Sequence, residues 1–307
     1  MAPLLTICIP TYNRKSRLKS TIDSLLPQLT NDVELFVSDN ASTDGTAAFL
    51  RDHLRRISLY RQDQNVGSEK NILACLGFGS GQYIWLLNDD DVISPNAVAS
   101  ILSAICQYAP LPLLWARAAD PSLDVSTFVE STCQTSWTML DGDSFLLNVA
   151  EWITFCPSII VSRQCISIPT LETYMGSLLI PMALTLHAVA KENRVLVSDA
   201  PLILSQEGET GRYDVFTIFT HGIRKVCAPF HGHPFSAIAL EYVYRSCYIR
   251  TIHGRIYSWP LSLYSSWNLL RHGLKYRILY QTYLPAIVQR FRGRLRTCLK
   301  RLFAHSV

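Results

Sequence analysis

The chain has 307 residues, 49% hydrophobic and 17% charged, with a formal net charge of +4. That length suits one large domain, or a domain with an appendage. No run of about eighteen uninterrupted apolar residues predicts a membrane span, and the start Met1-Ala2-Pro3-Leu4-Leu5 lacks the basic region of a secretory leader. The charge is unevenly divided. Before Tyr242 there are 16 Lys+Arg against 24 Asp+Glu, a net of −8, and from Tyr242 onward 12 Lys+Arg and no acid, a net of +12. The nine cysteines contain no CxxC pair and are odd in number, which predicts buried, reduced thiols in a cytosolic protein.

Leu4 to Ile9 predicts a buried strand that ends in Pro10-Thr11-Tyr12-Asn13. Leu18, Ile22, Leu25, Leu26 and Leu29 mark one face of the helix that follows. Val33 to Val37 predicts a second strand, opening into the polar run from Ser38 to Thr46. Phe49, Leu50 and Leu54 then line one side of another helix. Ile57 to Tyr60 predicts a short third strand, followed by Asn65-Val66-Gly67 and a helix through Asn71 to Leu76. Tyr83 to Leu87 is apolar and short enough for a buried strand, and it runs into Asn88-Asp89-Asp90-Asp91. Ser94 reads as an N-cap and Pro95 as the first helical position, with Ala97, Val98, Ile101, Leu102 and Ile105 at helical spacing. Strand–helix alternation of this kind predicts a doubly wound parallel sheet with right-handed crossovers.

Three polar loops therefore follow strand ends and should meet in one crevice: Thr11 to Asn13, Asp39 to Asp44, and Asn88 to Asp91. Two carboxylates 4 Å apart repel by about 4 kcal/mol at an effective dielectric of 20. A hard divalent cation turns that repulsion into a binding site, and Mg²⁺ and Mn²⁺ favour such oxygen donors. The plainer alternative is a solvated acidic turn that starts a helix. Neither GxGxxG nor GxxxxGK[ST] is present, so the ordinary dinucleotide and P-loop readings fail.

Ile9-Pro10-Thr11-Tyr12-Asn13-Arg14, Ser38-Asp39-Asn40-Ala41-Ser42-Thr43-Asp44-Gly45-Thr46, Asn65-Val66-Gly67 and the strand ending Asp89-Asp90-Asp91 resemble family-2 glycosyltransferases. The resemblance covers about the first 110 residues. It continues more weakly at Pro157 to Arg163 and Val195 to Leu202. Tyr83 to Asp91 is particularly similar to the abequosyltransferase-like branch of bacterial surface-polysaccharide enzymes. The implied fold is GT-A, a Rossmann-like, mostly parallel α/β sheet over residues 1–241, with a nucleotide-sugar half (1–110) and an acceptor half (111–241). A basic helical appendage over 242–307 follows.

The resemblance also implies roles. Asp39 would bond the nucleotide base, with Pro10, Thr11 and Tyr12 packed against it and Asn13 beside them. Asn65 and Gly67 would shape the diphosphate pocket, and Asp89 would contact sugar or ribose. Asp90 matches the direct metal ligand, with Asp91 beside it, for Mg²⁺ or Mn²⁺; Asn88 stands where many members have another Asp. Asp44 reads equally as a helix cap or a ligand contact; Arg14 and Lys15, beside the first loop, could meet phosphate but read first as solvated surface. Inverting members usually carry a catalytic acid at the start of the helix before the strand at Val195, a place that falls near Ile180-Pro181, where neither residue can act. Glu172 is the candidate base, with Glu151, Glu207 and Glu209 as alternatives, and its ordinary reading is a solvated acid after Pro169.

In the middle segment Trp137, Trp152, Phe155 and Tyr174 are candidates for stacking on sugars or for the core, and His187 reads as a core histidine. No zinc spacing or G-x-S-x-G is present. The tail interleaves Arg and Lys with Tyr, Trp, Leu and Ile, which predicts contact with an anionic membrane surface. Its alternatives are docking on the acidic body and, without a recognised motif, nucleic acid, which is not expected as a partner. The expected activity is transfer of a sugar from a nucleotide-diphosphate donor to a saccharide or lipid-linked acceptor, at the inner face of the cell membrane. The rivals are a non-catalytic nucleotide-sugar or polysaccharide-binding protein and a nucleotidyltransferase.

Overall fold

Leu5, Ile7 and Ile9 on one side of the first strand, and Cys8 on the other, are all fully buried. A strand covered on both faces must lie in the middle of a layered α/β fold. The computed structural model describes residues 2–130, 135–206, 218–231 and 234–258. Its strands are β1 (Leu5–Thr11), β2 (Val33–Asp39), β3 (Ser58–Arg61), β4 (Tyr83–Leu86), β5 (Asp91–Ile93), β6 (Leu113–Ala118), β7 (Trp137–Leu140), β8 (Ile159–Ser162) and β9 (Val195–Ser205). Its helices are α1 (Lys15–Leu25), α2 (Thr46–Arg51), α3 (Ser68–Phe78), α4 (Ala97–Tyr108), α5 (Val125–Glu130), α6 (Gly142–Val149), α7 (Ile168–Glu172), α8 (Ile180–Glu192), α9 (Ile223–Cys227) and α10 (Ala237–Ser258).

The strand order is β3-β2-β1-β4-β8-β6-β9-β5, with β7 paired to β9. β1 pairs in parallel with β2 and β4, and β2 with β3. Beyond β4 the sheet becomes mixed, since β8 runs antiparallel to both β4 and β6 while β6 and β9 are parallel. Leu5, Ile7 and Ile9 pack with Leu18, Ile22 and Leu25 of α1 and with Ile101 and Ile105 of α4. Cys8, Phe36, Ile84 and Leu86 face the opposite layer, with Leu76 of α3, Phe145 of α6 and Leu184 of α8. Each buried Leu or Ile contributes about 1.5–3 kcal/mol, so alternation along β1 fixes its register against both layers.

One expected element starts elsewhere. α4 begins at Ala97 with Asn96 as N-cap, and no side chain caps it. Ser94 is instead held at the end of β5, its amide donating to the Leu202 carbonyl at 3.0 Å. Asp91-Val92-Ile93 pairs antiparallel with β9, and that ladder delays the helix.

Contacts group Met1–Thr251 into one unit and Ile252–Val307 into another. The charge boundary at Tyr242 falls inside α10, where Val243 and Cys247 are buried in the core of the first unit. The tail beyond residue 258 lies outside the described residues. Among those described, no helix is long and apolar enough to cross a membrane.

Candidate active site

The parallel strands end in register, Thr11 beside Asp39 and Cys8 beside Leu86, so the loops after β1, β2 and β4 leave the sheet at one edge. Buried Asn71 of α3 ties two of them together. Its Nδ2 donates to the Ser38 carbonyl at 3.0 Å and to the Thr11 carbonyl at 3.4 Å, and its Oδ1 accepts from Ser38 Oγ at 2.7 Å. Asn40 and Asn65 bond each other at 2.8 Å, and Asn65 Oδ1 also accepts from the Gly67 amide at 2.9 Å. Gly67 has φ +89°, a conformation that suits glycine at the entrance to α3.

A cavity of about 760 Å³ opens at this edge. Pro10, Thr11, Tyr12 and Arg14 line one wall, Asn65 to Asn71 another, Asn88, Asp89 and Asp90 the floor, and Met175 and Leu178 the far side. Tyr12 is 42% exposed, an aromatic face presented to solvent. Of the expected site residues, Pro10, Thr11, Tyr12, Asn65, Gly67, Asp89 and Asp90 meet in this lining.

The acids divide by environment. Asp89 is buried and accepts from Thr11 Oγ1 at 2.7 Å and from Arg14 Nη1 at 3.0 Å. Burial pushes its pKa up, against the opposing effects of Thr11 and Arg14. Asp90 accepts from the same Arg14 Nη1 at 2.7 Å, and Arg17 Nη1 lies 3.5 Å from it. Arg14 is thus a cavity-wall cation engaged with both carboxylates, not the solvated surface charge expected. Burial opposes its charge, but Asp89 and Asp90 raise its pKa.

Asp91 departs from its expected place as a metal ligand. It is fully buried, lies outside the lining, and accepts from the Asn88 amide at 3.1 Å. Pairing of β5 with β9 draws it into the sheet, where burial first and then the charge of Asp90 push its pKa well up. Asn13 and Asp44 likewise stand outside the lining. Asn13 Oδ1 accepts from the Thr43 amide at 2.7 Å, joining the first loop to the second. Asp44 takes the capping role: it accepts from the Thr46 amide at 3.0 Å and the Lys15 amide at 2.9 Å, closing the starts of α2 and α1. Asp39, the expected base contact, also stands outside the lining and has no exposed surface; its Oδ1 accepts from the Ser42 amide at 3.0 Å. Its Oδ2 has no hydrogen-bond partner, and the Arg61 Nε lies 3.5 Å away.

Glu172 is exposed at the end of α7 and does not line the cavity, nor does Glu151; Glu207 and Glu209 lie outside the described residues. α8 starts as expected with buried Ile180 and Pro181. The aromatics proposed for sugar stacking also lie outside the lining. Trp152 and Phe155 pack edge to face, Trp137 Nε1 bonds Ser100 Oγ at 3.1 Å, and Tyr174 Oη bonds His187 Nε2 at 2.8 Å.

Glu69 was missed by the sequence reading. It lines the cavity from α3, and its two oxygens accept from the amides of Gly176 at 2.7 Å and Leu178 at 2.8 Å. Its sequence signal is faint, an acid in the first turn of a helix. The loop it holds is further pinned by Lys225 Nζ on the Met175 carbonyl at 2.8 Å. A Cβ at Gly222 would stand 2.6 Å from the Ser177 carbonyl oxygen, so only glycine allows that approach. Leu178, at φ +59°, is held in a left-handed conformation that is unfavourable for leucine.

Residues 6–121 match the model of glycosyl transferase family 2. Abequosyltransferase RfbV of Salmonella typhimurium is 30% identical over 184 residues, covering 58% of this chain and 52% of that protein. A GalNAc(5)-diNAcBac-PP-undecaprenol beta-1,3-glucosyltransferase of Campylobacter jejuni is 30% identical over 104 residues, covering 33% and 34% of the two chains. The chain thus spans about half the length of the first relative and a third of the second. Among solved structures, S. aureus TarS 1-349 superposes with a TM-score of 0.63 at 15% identity, covering 85% of this chain and 76% of that one. Mannosyltransferase PcManGT of Pyrobaculum calidifontis, solved with GDP-Man and Mn²⁺, gives 0.53 at 13% identity over 99% and 88%. At such identities the likeness shows the fold, which is the GT-A arrangement.

Proposed function

We propose that this chain, whose residues 6–121 belong to glycosyl transferase family 2, transfers a sugar from a nucleotide-diphosphate donor to a saccharide or lipid-linked acceptor in the making of a bacterial surface polysaccharide. The observation that carries the reading is the convergence of Pro10 to Tyr12, Asn65 to Gly67 and Asp89-Asp90 on one cavity at the C-terminal edge of parallel strands. Relatives named as glycosyltransferases support the same class of reaction.

In this reading the base lies toward Tyr12 and the end of β2. Asp39 Oδ2, outside the lining and with Arg61 Nε 3.5 Å away, has no hydrogen-bond partner and is the acceptor this reading assigns to an N–H of the base. The diphosphate lies against the entrance to α3, where Gly67 permits close backbone approach. Thr11 and Arg14 hold Asp89 in a fixed orientation for contact with the ribose or sugar.

A divalent ion fits this donor set. Asp90 and Asp89 offer hard oxygen ligands on the cavity floor. Among the described residues no three His, Cys, Asp or Glu side chains are grouped to hold an ion alone. That matches ions bound through one or two carboxylates and completed by substrate phosphates and water, as Mg²⁺ and Mn²⁺ are. When bound, such an ion neutralises charge developing on the departing nucleotide diphosphate. Asp90 is the residue assigned to hold it. Asp91, outside the lining, accepts from the Asn88 amide and is not assigned to the ion.

One observation favours a second reading, donor binding without transfer. Buried Ile180 and Pro181 stand where an acid would act as base, and Glu172 does not line the cavity. The basic tail supports a peripheral place on an anionic cytoplasmic membrane face. The test is a panel of uridine, cytidine, guanosine and thymidine diphosphate sugars with full-length protein and Mn²⁺, scoring saturation binding and hydrolysis. Saturable binding with slow hydrolysis supports the transferase. Binding without hydrolysis or transfer favours the second reading, and no binding to any donor overturns both.

A further inference from the structure

We infer that Arg14 is a built-in counter-ion that keeps divalent metal off the acid pair until a diphosphate arrives. This rests on the donor reading above for the diphosphate, while the effect on metal alone rests on geometry. One nitrogen, Arg14 Nη1, bridges Asp89 Oδ1 at 3.0 Å and Asp90 Oδ2 at 2.7 Å. The guanidinium thereby occupies one oxygen of each carboxylate and competes with a cation that the two would share. Arg17 adds positive charge 3.5 Å from Asp90. The Asp89 and Asp90 side chains are only 7% and 12% exposed, so leaving either unpaired is costly.

An ion entering alone must exchange one cation for another and strand the guanidinium on the cavity wall. Asn88, beside the pair, brings no further negative charge to offset this exchange. An ion entering with a diphosphate meets a different balance. The phosphate oxygens supply ligands to the metal and a second anion for Arg14, whose planar fork suits phosphate as well as carboxylate. Metal and nucleotide are then coupled through one side chain, and the coupling acts equally in both directions. The consequence is a site that resists free metal and fills when the donor brings it.

The experiment measures Mn²⁺ binding to the full-length parent, Arg14→Met and Arg14→Lys, by the paramagnetic resonance signal of free Mn²⁺. Each protein is titrated with Mn²⁺ alone and with UDP, CDP, GDP or dTDP present, after circular dichroism confirms folding. The expected result is Mn²⁺-alone affinity at least about tenfold tighter in Arg14→Met than in the parent, with Arg14→Lys between them. In the parent, a nucleoside diphosphate that binds should tighten Mn²⁺ by about tenfold or more, and in Arg14→Met that enhancement should shrink to about threefold or less. Equal or weaker Mn²⁺-alone binding by Arg14→Met overturns the inference, as does a parent that binds Mn²⁺ equally with and without a bound diphosphate. Should Arg14→Met not fold, Arg14→Lys and the parent titrations decide it by the same criteria. If the parent binds none of the four diphosphates, the donor reading fails, and the Mn²⁺-alone comparison still judges Arg14.

Discussion

Glu69 and Gly176 are 107 positions apart in the chain, yet Glu69 Oε2 accepts the Gly176 amide proton across 2.7 Å. With its second oxygen on the Leu178 amide, this carboxylate binds helix α3 to the loop ahead of α8. The contact joins two walls of one cavity, and it explains how Leu178 is kept at a positive φ. Both oxygens are committed to backbone, so Glu69 is a positioning residue.

Glu69→Gln should therefore loosen the acceptor wall and leave the donor side intact. A glutamine offers one acceptor oxygen to two amides, and the lost charged hydrogen bond is worth about 1.5–3 kcal/mol. Steady-state transfer kinetics should show the acceptor KM raised about tenfold or more with donor affinity nearly unchanged. Parallel loss of donor affinity would place Glu69 in the donor site.

Asp39→Asn tests the base contact. The variant keeps an oxygen for the Ser42 amide but removes the buried charge. Nucleoside diphosphate affinity, measured by calorimetry, should weaken by about tenfold, as loss of a charged acceptor implies. Unchanged affinity would remove Asp39 from the nucleotide site.

Asp44→Ala should act on stability instead. Its carboxylate caps the starts of α1 and α2, and loss of a cap costs about 0.5–2 kcal/mol. The urea midpoint should fall while donor affinity stays within about twofold of the parent. A donor-binding defect in a stable variant would restore Asp44 to the ligand contacts.

His187 predicts a pH dependence. Burial beside Tyr174 and Phe230 lowers its pKa below the ordinary 6.5. Between 6.5 and that depressed value the unfolded chain takes up a proton that the folded chain refuses. Stability should drop as pH falls through this window and level off beneath it. His187→Gln should show a smaller decline in urea midpoint between pH 7.5 and 5 than the parent, values chosen to lie about one unit or more either side of the ordinary pKa. An identical decline would assign the pH dependence to other groups.

Much of the first 110 residues was legible because the signals there are local. The runs at Leu5, Val33 and Tyr83 are apolar and brief, so they could only be buried strands, and their polar ends had to share an edge. What escaped the sequence reading depends on distant partners. Asp91 looks like a third ligand until β9, more than a hundred residues on, pairs with β5 and draws it inward. Arg14 resembles any solvated charge until the strand after α3 brings Asp89 and Asp90 beside it. Glu69 looks like an ordinary first-turn acid, because its partners are backbone amides that carry no side-chain signature. The break at Tyr242 followed charge, while α10 follows burial through Val243 and Cys247.

The central claim is that Asp90 holds the ion that accompanies a nucleotide-diphosphate donor. Calorimetric titration of the parent and Asp90→Asn with the best donor of the panel, in Mn²⁺ and again in EDTA, tests it most directly. The account predicts that the parent binds at least about tenfold more tightly with Mn²⁺, and that Asp90→Asn, folded and equally monodisperse, loses this enhancement. An Asp90→Asn protein that keeps the full Mn²⁺-dependent enhancement would contradict the assignment.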